Sequence, residues 1–307
     1  MPNVSRLAAQ ASLAVLKHLL ARLSHGDRSW LARHVVQDRS AAGVRALVDF
    51  GYGTIRGWKN SEFDIDINGE AVLMERLRPF SPRIVLDVGA NIGDWSLAAL
   101  KYLPDATVHA FEIAPATSAK LIANANANGA GNRLVVNACG LGDTTGEIML
   151  YYTPESDTAS STVSLAMDIA RPNHGVTRVE EMNVPIVTGD TYMAEHGLTH
   201  IDFLKIDVEG AELSVLNGFA GAFARQAIDV VQFEYGQVNL RTRVFLEDFC
   251  NFFIAHGFLV GKLLPHGVGF KPFELPDEDF IGLNFIACRA DRGDLVAAIG
   301  CPALSLN

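Results

Sequence analysis

Short apolar segments alternate with helical patterns along the chain from Arg83 onward. Segments rich in Ile, Val, Leu and Phe predict strands, whereas stretches with apolar residues three and four apart predict helices. The predicted strands are 84–87, 107–112, 134–138, 147–152, 201–207, 228–234 and 283–289. The predicted helices between them are 94–102, 115–128, 211–219 and 244–256. This alternation indicates βαβ units, whose right-handed crossovers build a doubly wound, mostly parallel sheet.

The first 80 residues have a different pattern. Apolar residues from Leu7 to Leu23, interrupted by basic residues, predict an amphipathic helix. The alternation over 63–67 predicts a strand, Asn68-Gly69 a turn, and 70–77 a helix. We therefore predict a helical extension over residues 1–60, which either caps the substrate pocket or joins two copies in a homodimer. The α/β domain is predicted over residues 61–307.

Composition and charge narrow the class of protein. Of the 307 residues, 49% are hydrophobic and 20% charged, as in ordinary globular proteins. A net charge of −10 repels phosphate backbones, so we do not expect nucleic acid as the substrate. The four cysteines form no C-x-x-C pair, which predicts reduced thiols in a cytoplasmic protein. No apolar run reaches the ~20 residues that a membrane span needs.

The loop after the first predicted strand, residues 87–94, carries the most chemical information. Gly89 and Gly93 let the backbone approach a ligand, and the following helix supplies free amide groups. Asn91 stands where the dinucleotide fingerprint would have its second glycine. Asp87 would repel a pyrophosphate but suits a cationic amino group. The loop therefore favours S-adenosylmethionine over NAD.

Acidic residues end or follow the next two strands. Glu112 lies 23 residues after Gly89, where an acid at the end of the second strand can accept hydrogen bonds from both ribose hydroxyls. Asp143 follows the third strand in a Gly-Asp turn. It could accept a hydrogen bond from the adenine amino group, or it could serve the turn alone.

Lys205 and Asp207 break the apolar rule for a central parallel strand and share one face of it. A buried pair of this kind marks a candidate site, although Lys205 could also be a lysine whose head simply pairs with Asp207. Glu209 follows on the loop, and Glu234 ends the neighbouring strand. Two hypotheses stay open for these carboxylates: a general base for a hydroxyl nucleophile, or ligands of a divalent cation such as Mg²⁺.

Taken together, these motifs resemble the FkbM family of methyltransferases. The matching segments are Asn68-Gly69-Glu70, residues 87–94, Phe111-Glu112, residues 204–212, Phe233-Glu234 and residues 283–287. The resemblance implies a class I methyltransferase fold: a Rossmann-like three-layer sandwich around a seven-stranded sheet whose last-placed strand is antiparallel.

The resemblance also implies a reaction and a set of binding residues. A methyl group would pass from S-adenosylmethionine, leaving S-adenosylhomocysteine, usually to a hydroxyl of a polyketide, sugar, glycan or other metabolite. Glu112 would hold the ribose. The methionine part would lie against Asp87, Gly89, Ala90, Asn91 and Gly93. We expect the acceptor pocket to be formed by residues 153–183 and 262–280.

Two other functions compete with an O-methyltransferase. An NAD-dependent oxidoreductase on a Rossmann fold is disfavoured by Asp87 and by the missing middle glycine. A catalytically silent scaffold that kept the cofactor fold is disfavoured by the acids at the predicted strand ends, because packing alone would not require them.

Overall fold

The computed structural model describes residues 14–37, 39, 42–152 and 180–302. The chain divides into two compact units, Met1–Ile55 and Arg56–Asn307. The division falls close to the predicted boundary at residue 60, within a helix that ends at Trp58. The segment 153–179, predicted as part of the acceptor pocket, lies outside the described residues.

The N-terminal unit is helical. Residues 14–22 form a helix, followed by α1 (His25–Val35) and α2 (Ala42–Trp58). Ser24 caps α1, because its side chain accepts the Asp27 N–H while the Asp27 carboxylate accepts the Ser24 N–H. Large apolar side chains of α2, such as Leu47 and Val48, are exposed. No helix in the described ranges combines the length and apolar character that crossing a membrane requires.

Eleven strands are described in the second unit. They are β1 (Ile84–Val88), β2 (Thr107–Phe111), β3 (Leu134–Asn137), β4 (Gly140–Gly142), β5 (Gly146–Tyr152), β6 (Glu180–Thr188), β7 (Ile201–Ile206), β8 (Ile228–Glu234), β9 (Phe258–Leu264), β10 (Gly267–Phe270) and β11 (Asn284–Arg289). The described helices are α3 (Glu70–Leu77), α4 (Asp94–Tyr102), α5 (Pro115–Ala127), α6 (Gly189–Glu195), α7 (Glu212–Asn217), α8 (Ala220–Ala224), α9 (Asn239–Thr242), α10 (Leu246–Ala255) and α11 (Gly293–Ile299).

The main sheet has the order β10-β9-β11-β8-β7-β1-β2-β3. The run from β8 to β3 is parallel, and β11 is antiparallel to both of its neighbours. This confirms the class I architecture, but the predicted count of seven strands was wrong. The described sheet has eight, because β9 folds back into the edge strand β10. The glycine-rich segment Gly267–Phe270 has no strand-like alternation from which it could have been predicted.

Alternating residues of the central strands supply two apolar cores. Leu86 and Val88 of β1 point into one core, which includes Phe249 and Phe253 of α10. Val85 points into the other, together with residues of α3 and α4. Helices therefore cover both faces of the sheet, as a parallel sheet requires. A smaller three-stranded sheet has the order β4-β6-β5.

Other elements differ from their predictions. The predicted strand over 63–67 is a turn, because the Asp64 carboxylate accepts the Asp66 N–H and the Asp64 carbonyl accepts the Asn68 N–H. Strands β6 and β9 and helix α6 were missed. The last four residues of the predicted excursion over 153–183 belong to β6.

Candidate functional site

The predicted site residues meet where the parallel strands β1, β2, β7 and β8 end. The register pairs Asp87 of β1 with Lys205 of β7, and Lys205 with Gln232 of β8. Glu112 follows β2 directly, and Glu234 is the last residue of β8. In open α/β sheets this carboxyl edge is the ligand-binding edge. The fold thus brings together the side chains that the sequence placed on four separate strands.

The loop between β1 and α4 is held tightly between its neighbours. The N–H groups of Gly89 and Ala90 donate to the Phe111 carbonyl at 3.0 and 2.8 Å. Gly89 has φ +83°, and a Cβ built there would lie 1.8 Å from the Asp207 carbonyl oxygen. Glycine is therefore required at this position, because both the backbone angle and the close approach of Asp207, the residue after β7, exclude a side chain.

Glu112, which follows β2, stabilises this loop through hydrogen bonds to backbone N–H groups. Its Oε2 accepts the Asn91 N–H at 2.9 Å, and its Oε1 accepts the Ala114 N–H at 2.8 Å. Burial raises the pKa of Glu112, although the two backbone hydrogen bonds oppose the shift. Each carboxylate oxygen can accept a second hydrogen bond. The side chain is thus suited to the ribose hydroxyls that the sequence assigned to it.

Asp87 is fully buried and takes part in an internal ion pair. Its Oδ1 lies 3.1 Å from Lys205 Nζ, and its Oδ2 accepts the Ser96 hydroxyl proton at 2.6 Å. Lys205 Nζ also lies 3.4 Å from Asp207 and 3.4 Å from the Gly89 carbonyl. Burial alone would lower the pKa of Lys205, but Asp87 and then Asp207 raise it above its ordinary value. Lys205 therefore bridges two acids rather than pairing with Asp207 alone.

Asp207 and Glu234 lie next to each other and share a hydrogen bond, and Asp207 also pairs with Lys205. Burial alone would raise the pKa of Asp207, but the Lys205 ammonium and a hydrogen bond from Glu234 hold it below its ordinary value. Burial, followed by the charge of Asp207, raises the pKa of Glu234 well above its ordinary value. The two pKa values shift in opposite directions because adjacent carboxylates resist ionising together, and the shifts favour a proton on Glu234 rather than on Asp207. Asp207 is the accessible member, with 41% of its side chain exposed.

Glu209 follows on a strained turn, with φ +54°. Burial, reinforced by the nearby Asp207 and Glu212, raises its pKa to about 7. A carboxyl group with this pKa exchanges protons readily near neutral pH.

Two buried acids that support the site were not among the predicted site residues. Glu212 accepts the Val208 and Gly210 N–H groups at 3.1 and 2.9 Å, which holds the turn carrying Glu209. Glu70 accepts hydrogen bonds from the side chains of Asn68, at 2.7 Å, and Gln232. Both acids lie within motifs that carry the family resemblance. Each could have been identified from the sequence as a charged residue on the buried face of a predicted helix.

The alternative of a metal site on Asp207, Glu209 and Glu234 is not supported. Their oxygens do not form a compact ligand group in the described part of the chain. The Lys205 ammonium lies 3.4 Å from Asp207 and already supplies a positive charge there.

A compact group of metal-type side chains does lie elsewhere, at His200, Asp202 and Asp229. Asp229 is paired with Arg289 and Arg292 as well as His200. Two guanidinium groups therefore already pair with Asp229, and their positive charge opposes the binding of a cation there.

Asp143 belongs to the loop after a strand of the smaller sheet and not to a strand end of the main sheet. It follows β4 of the smaller sheet, its side chain is exposed, and its N–H donates to the Ser214 hydroxyl at 3.2 Å. Its contact with adenine stays a prediction.

Comparison with known proteins supplies independent evidence of the family to which the chain is similar. The model of the family described as "Methyltransferase FkbM domain" matches residues 87–260, more than half of the chain. A curated 31-O-demethyl-FK506 methyltransferase of Streptomyces tacrolimicus is 34% identical over 158 residues, which cover 45% of this chain and 60% of that protein. Methyltransferase sdnD of Sordaria araneosa is 35% identical over 159 residues, which cover 46% and 61%. The chain thus matches about three fifths of the length of these curated relatives.

Solved structures give weaker likenesses. An FkbM methyltransferase from Methylobacillus flagellatus has 16% identity and a TM-score of 0.43, covering 67% of this chain and 43% of that one. The O-methyltransferase TomG from Streptomyces achromogenes, solved with S-adenosylmethionine, has 9% identity and a TM-score of 0.39, covering 71% and 78%. These scores are low, so the assignment of the fold rests on the strand order described above.

Proposed function

The chain belongs to the FkbM methyltransferase family, and from that premise we propose that it methylates a hydroxyl group of a small molecule with S-adenosylmethionine as donor. The observation that carries this proposal is the row of acids at the carboxyl edge, from Glu112 to Glu234, with Asp207 partly exposed at its centre. We propose a natural product, sugar or glycan as the acceptor. One curated relative supports methylation at oxygen by its printed name, 31-O-demethyl-FK506 methyltransferase.

The residues present fit the proposed cofactor in their chemistry. Glu112 retains acceptor capacity for two hydroxyl donors, and the loop over 89–93 is fixed close to it. S-adenosylmethionine, when bound, supplies an electrophilic methyl group for an in-line displacement. The protein's main task is then to align the acceptor oxygen, and rigid side chains serve that task. Because Asp87 is fully buried, we propose that it acts by fixing Lys205 and the loop rather than by touching the ligand.

We propose Glu209 as the group that takes the proton of the acceptor hydroxyl. A general base works best when its pKa lies near the working pH, and the Glu209 pKa of about 7 meets that condition. Asp207, held ionised by Lys205, would accept the hydroxyl hydrogen bond and orient the oxygen. Glu234 would stay protonated and hold Asp207 in place.

We further propose that the enzyme acts in the cytoplasm on a small molecule rather than on nucleic acid. All four cysteines are unpaired in the structure, which supports a reducing compartment. The net charge of −10 supports a small molecule over nucleic acid as the acceptor, because an acidic protein repels phosphate backbones.

Calorimetric titration with S-adenosylhomocysteine, with NAD as the competing ligand, tests this function. We expect S-adenosylhomocysteine to bind and NAD not to bind. Glu112→Ala should weaken S-adenosylhomocysteine binding by roughly 10²-fold, because hydrogen bonds to a charged group are worth about 1.5–3 kcal/mol. Glu112→Gln is the matched control: its amide oxygen can accept only one of the two backbone N–H groups, and it removes the charge while keeping the size of the side chain, so we expect a smaller loss than in Glu112→Ala. Binding of NAD alone would establish the oxidoreductase alternative, and binding of neither ligand would favour a silent scaffold.

A further inference from the structure

A second lysine interrupts an apolar strand face near the same edge. On β9, Phe258 and Val260 contribute to the core beside α10, and Lys262 follows them at the same period-two spacing. The register pairs Lys262 with Phe285 of β11, and Phe285 with Phe233 of β8. Lys262 thus lies one residue below the edge, on the opposite sheet face from Lys205, and its side chain is long enough to reach that edge.

The Lys262 ammonium is buried beneath the loop that precedes β11. A Cβ built on Gly282 would lie 2.0 Å from Nζ, so this glycine leaves room for the ammonium. The ammonium also lies 4.3 Å from the centre of the Phe285 ring. Nζ has no hydrogen-bond partner among the residues that the structure describes. The charge of Asp279 raises the pKa of Lys262, but the Asp279 carboxylate is already paired with Lys59, whose Nζ lies 2.8 Å from Asp279 Oδ2.

A buried ammonium without hydrogen bonds is costly, and contact with one aromatic ring offsets only part of that cost. Burial lowers the pKa of Lys262 to about 7, while Asp279 and Glu234 oppose the shift and Lys59 adds to it. An anion placed beside Nζ would hydrogen-bond the ammonium and favour its charged form.

The order of the strands shows which ligand would reach this ammonium. The proposed cofactor residues lie on β1 and after β2, and the reacting carboxylates lie at the ends of β7 and β8. β9 lies further along in the same direction, beyond β11. With strands about 4.8 Å apart, β9 is roughly 10 Å from β8. A group bound at Lys262 therefore belongs to the acceptor and not to the cofactor.

We propose that Lys262 binds an anionic group of the methyl acceptor, a carboxylate or a phosphate, so that the enzyme selects a hydroxylated acid. This inference rests on the proposed function and adds the charge class of the substrate. The acid group would lie on the order of 10 Å from the hydroxyl that is methylated, because that is the spacing of β8 and β9.

A binding experiment that needs no acceptor tests the site. The protein is labelled with ¹³C at the lysine ε carbons, saturated with S-adenosylhomocysteine, and titrated with inorganic phosphate and, separately, acetate. We expect the Lys262 resonance, assigned from its loss in Lys262→Met, to shift toward the position of a charged lysine. Sodium chloride at equal ionic strength should not move it. A Lys262 resonance that does not move, or that moves equally with chloride, would overturn the proposal.

Turnover provides the second measurement. Hydroxy acids of increasing length are assayed beside their primary amides by release of S-adenosylhomocysteine. We expect the acids to be preferred, and Lys262→Met to lower kcat/KM for them by about 10- to 100-fold while sparing the amides. Lys262→Arg should restore part of the preference, and Lys101→Met, at an exposed lysine near the end of α4, should leave kcat/KM for both classes unchanged. Equal losses for acids and amides would refute the anion site. If the wild-type protein failed to bind S-adenosylhomocysteine, the proposed function would fail instead.

Discussion

The charge on Glu212 should destabilise the protein above neutral pH, and Glu212→Gln removes it. The side chain has no exposed surface. One oxygen accepts the Val208 and Gly210 N–H groups, and the other, Oε2, has no partner in the described ranges. Burial accordingly raises the pKa of Glu212 from 4.5 to about 7. A glutamine can keep both hydrogen bonds through its amide oxygen, so the substitution isolates the charge.

The sign and the size of this pH effect on the unfolding free energy follow from the difference between the Glu212 pKa in the folded and unfolded chain. Between pH 4.5 and 7 the carboxyl is protonated in the folded protein but ionised in the unfolded chain, so the unfolding free energy falls as the pH rises. At 1.36 kcal/mol per pKa unit, the shift corresponds to about 3 kcal/mol lost by pH 8. Glu209 and Glu234 add slopes of the same sign, and both slopes should be smaller in the variant, because the Glu212 charge helps to raise both pKa values; this change adds to the advantage of the variant. The difference between Glu212→Gln and wild type should therefore be small at pH 4.5 and about 3 kcal/mol in favour of the variant at pH 8.

Urea unfolding at several pH values between 4.5 and 8 measures this difference, provided that the m-value stays constant. Glu75→Gln, at an exposed position of α3, is the matched control and should give a pH-independent difference. A Glu212→Gln curve that runs parallel to the wild-type curve would refute the reasoning, because the loss with pH would then come from other groups.

Two further predictions concern catalysis and assembly. Asp207→Asn should lower kcat by roughly 10²-fold, because the acceptor oxygen loses the charged group that orients it. Stability should change less, because 41% of the side chain is exposed. Turnover at the wild-type rate would remove Asp207 from the mechanism. The predicted homodimer should appear in light scattering as twice the chain mass. The double substitution Leu47→Ser and Val48→Ser, on the exposed apolar face of α2, should abolish the dimer, whereas Arg45→Ser should not. A monomeric wild-type protein would contradict the prediction.

The central part of the fold and the location of the site could be predicted because both depend on local patterns. Strands β1, β7 and β8 were found within one residue at each end, since continuous apolar runs identify buried parallel strands. Strand ends then placed the acids, because parallel strands share one carboxyl edge. The alternation over 63–67 failed since it has the period of a strand, while the Asp64 side chain stabilises a turn that the period does not reveal.

Contacts between side chains on different strands of the sheet could not be predicted. The sequence placed Asp87 toward the ligand, but its burial depends on Lys205, which is more than 100 residues away in the chain and opposite it in the sheet. Lys262 gave no signal for a similar reason. Its strand was missed, and the loop that covers its ammonium was expected only as part of a variable region.

The arrangement of charges at the carboxyl edge explains why one lysine can serve several acids. Burial raises the pKa of Glu70, and burial followed by the charge of Asp207 raises the pKa of Glu234, which favours the uncharged form of both carboxyl groups. The Lys205 ammonium offsets only one of its two paired carboxylates, Asp87 and Asp207, so these three side chains together keep a negative charge. A modest negative charge of this kind attracts a cationic ligand and repels a pyrophosphate. The electrostatics of the assembled site thus support the same choice between S-adenosylmethionine and NAD that the loop sequence favoured, even though Asp87 itself is buried.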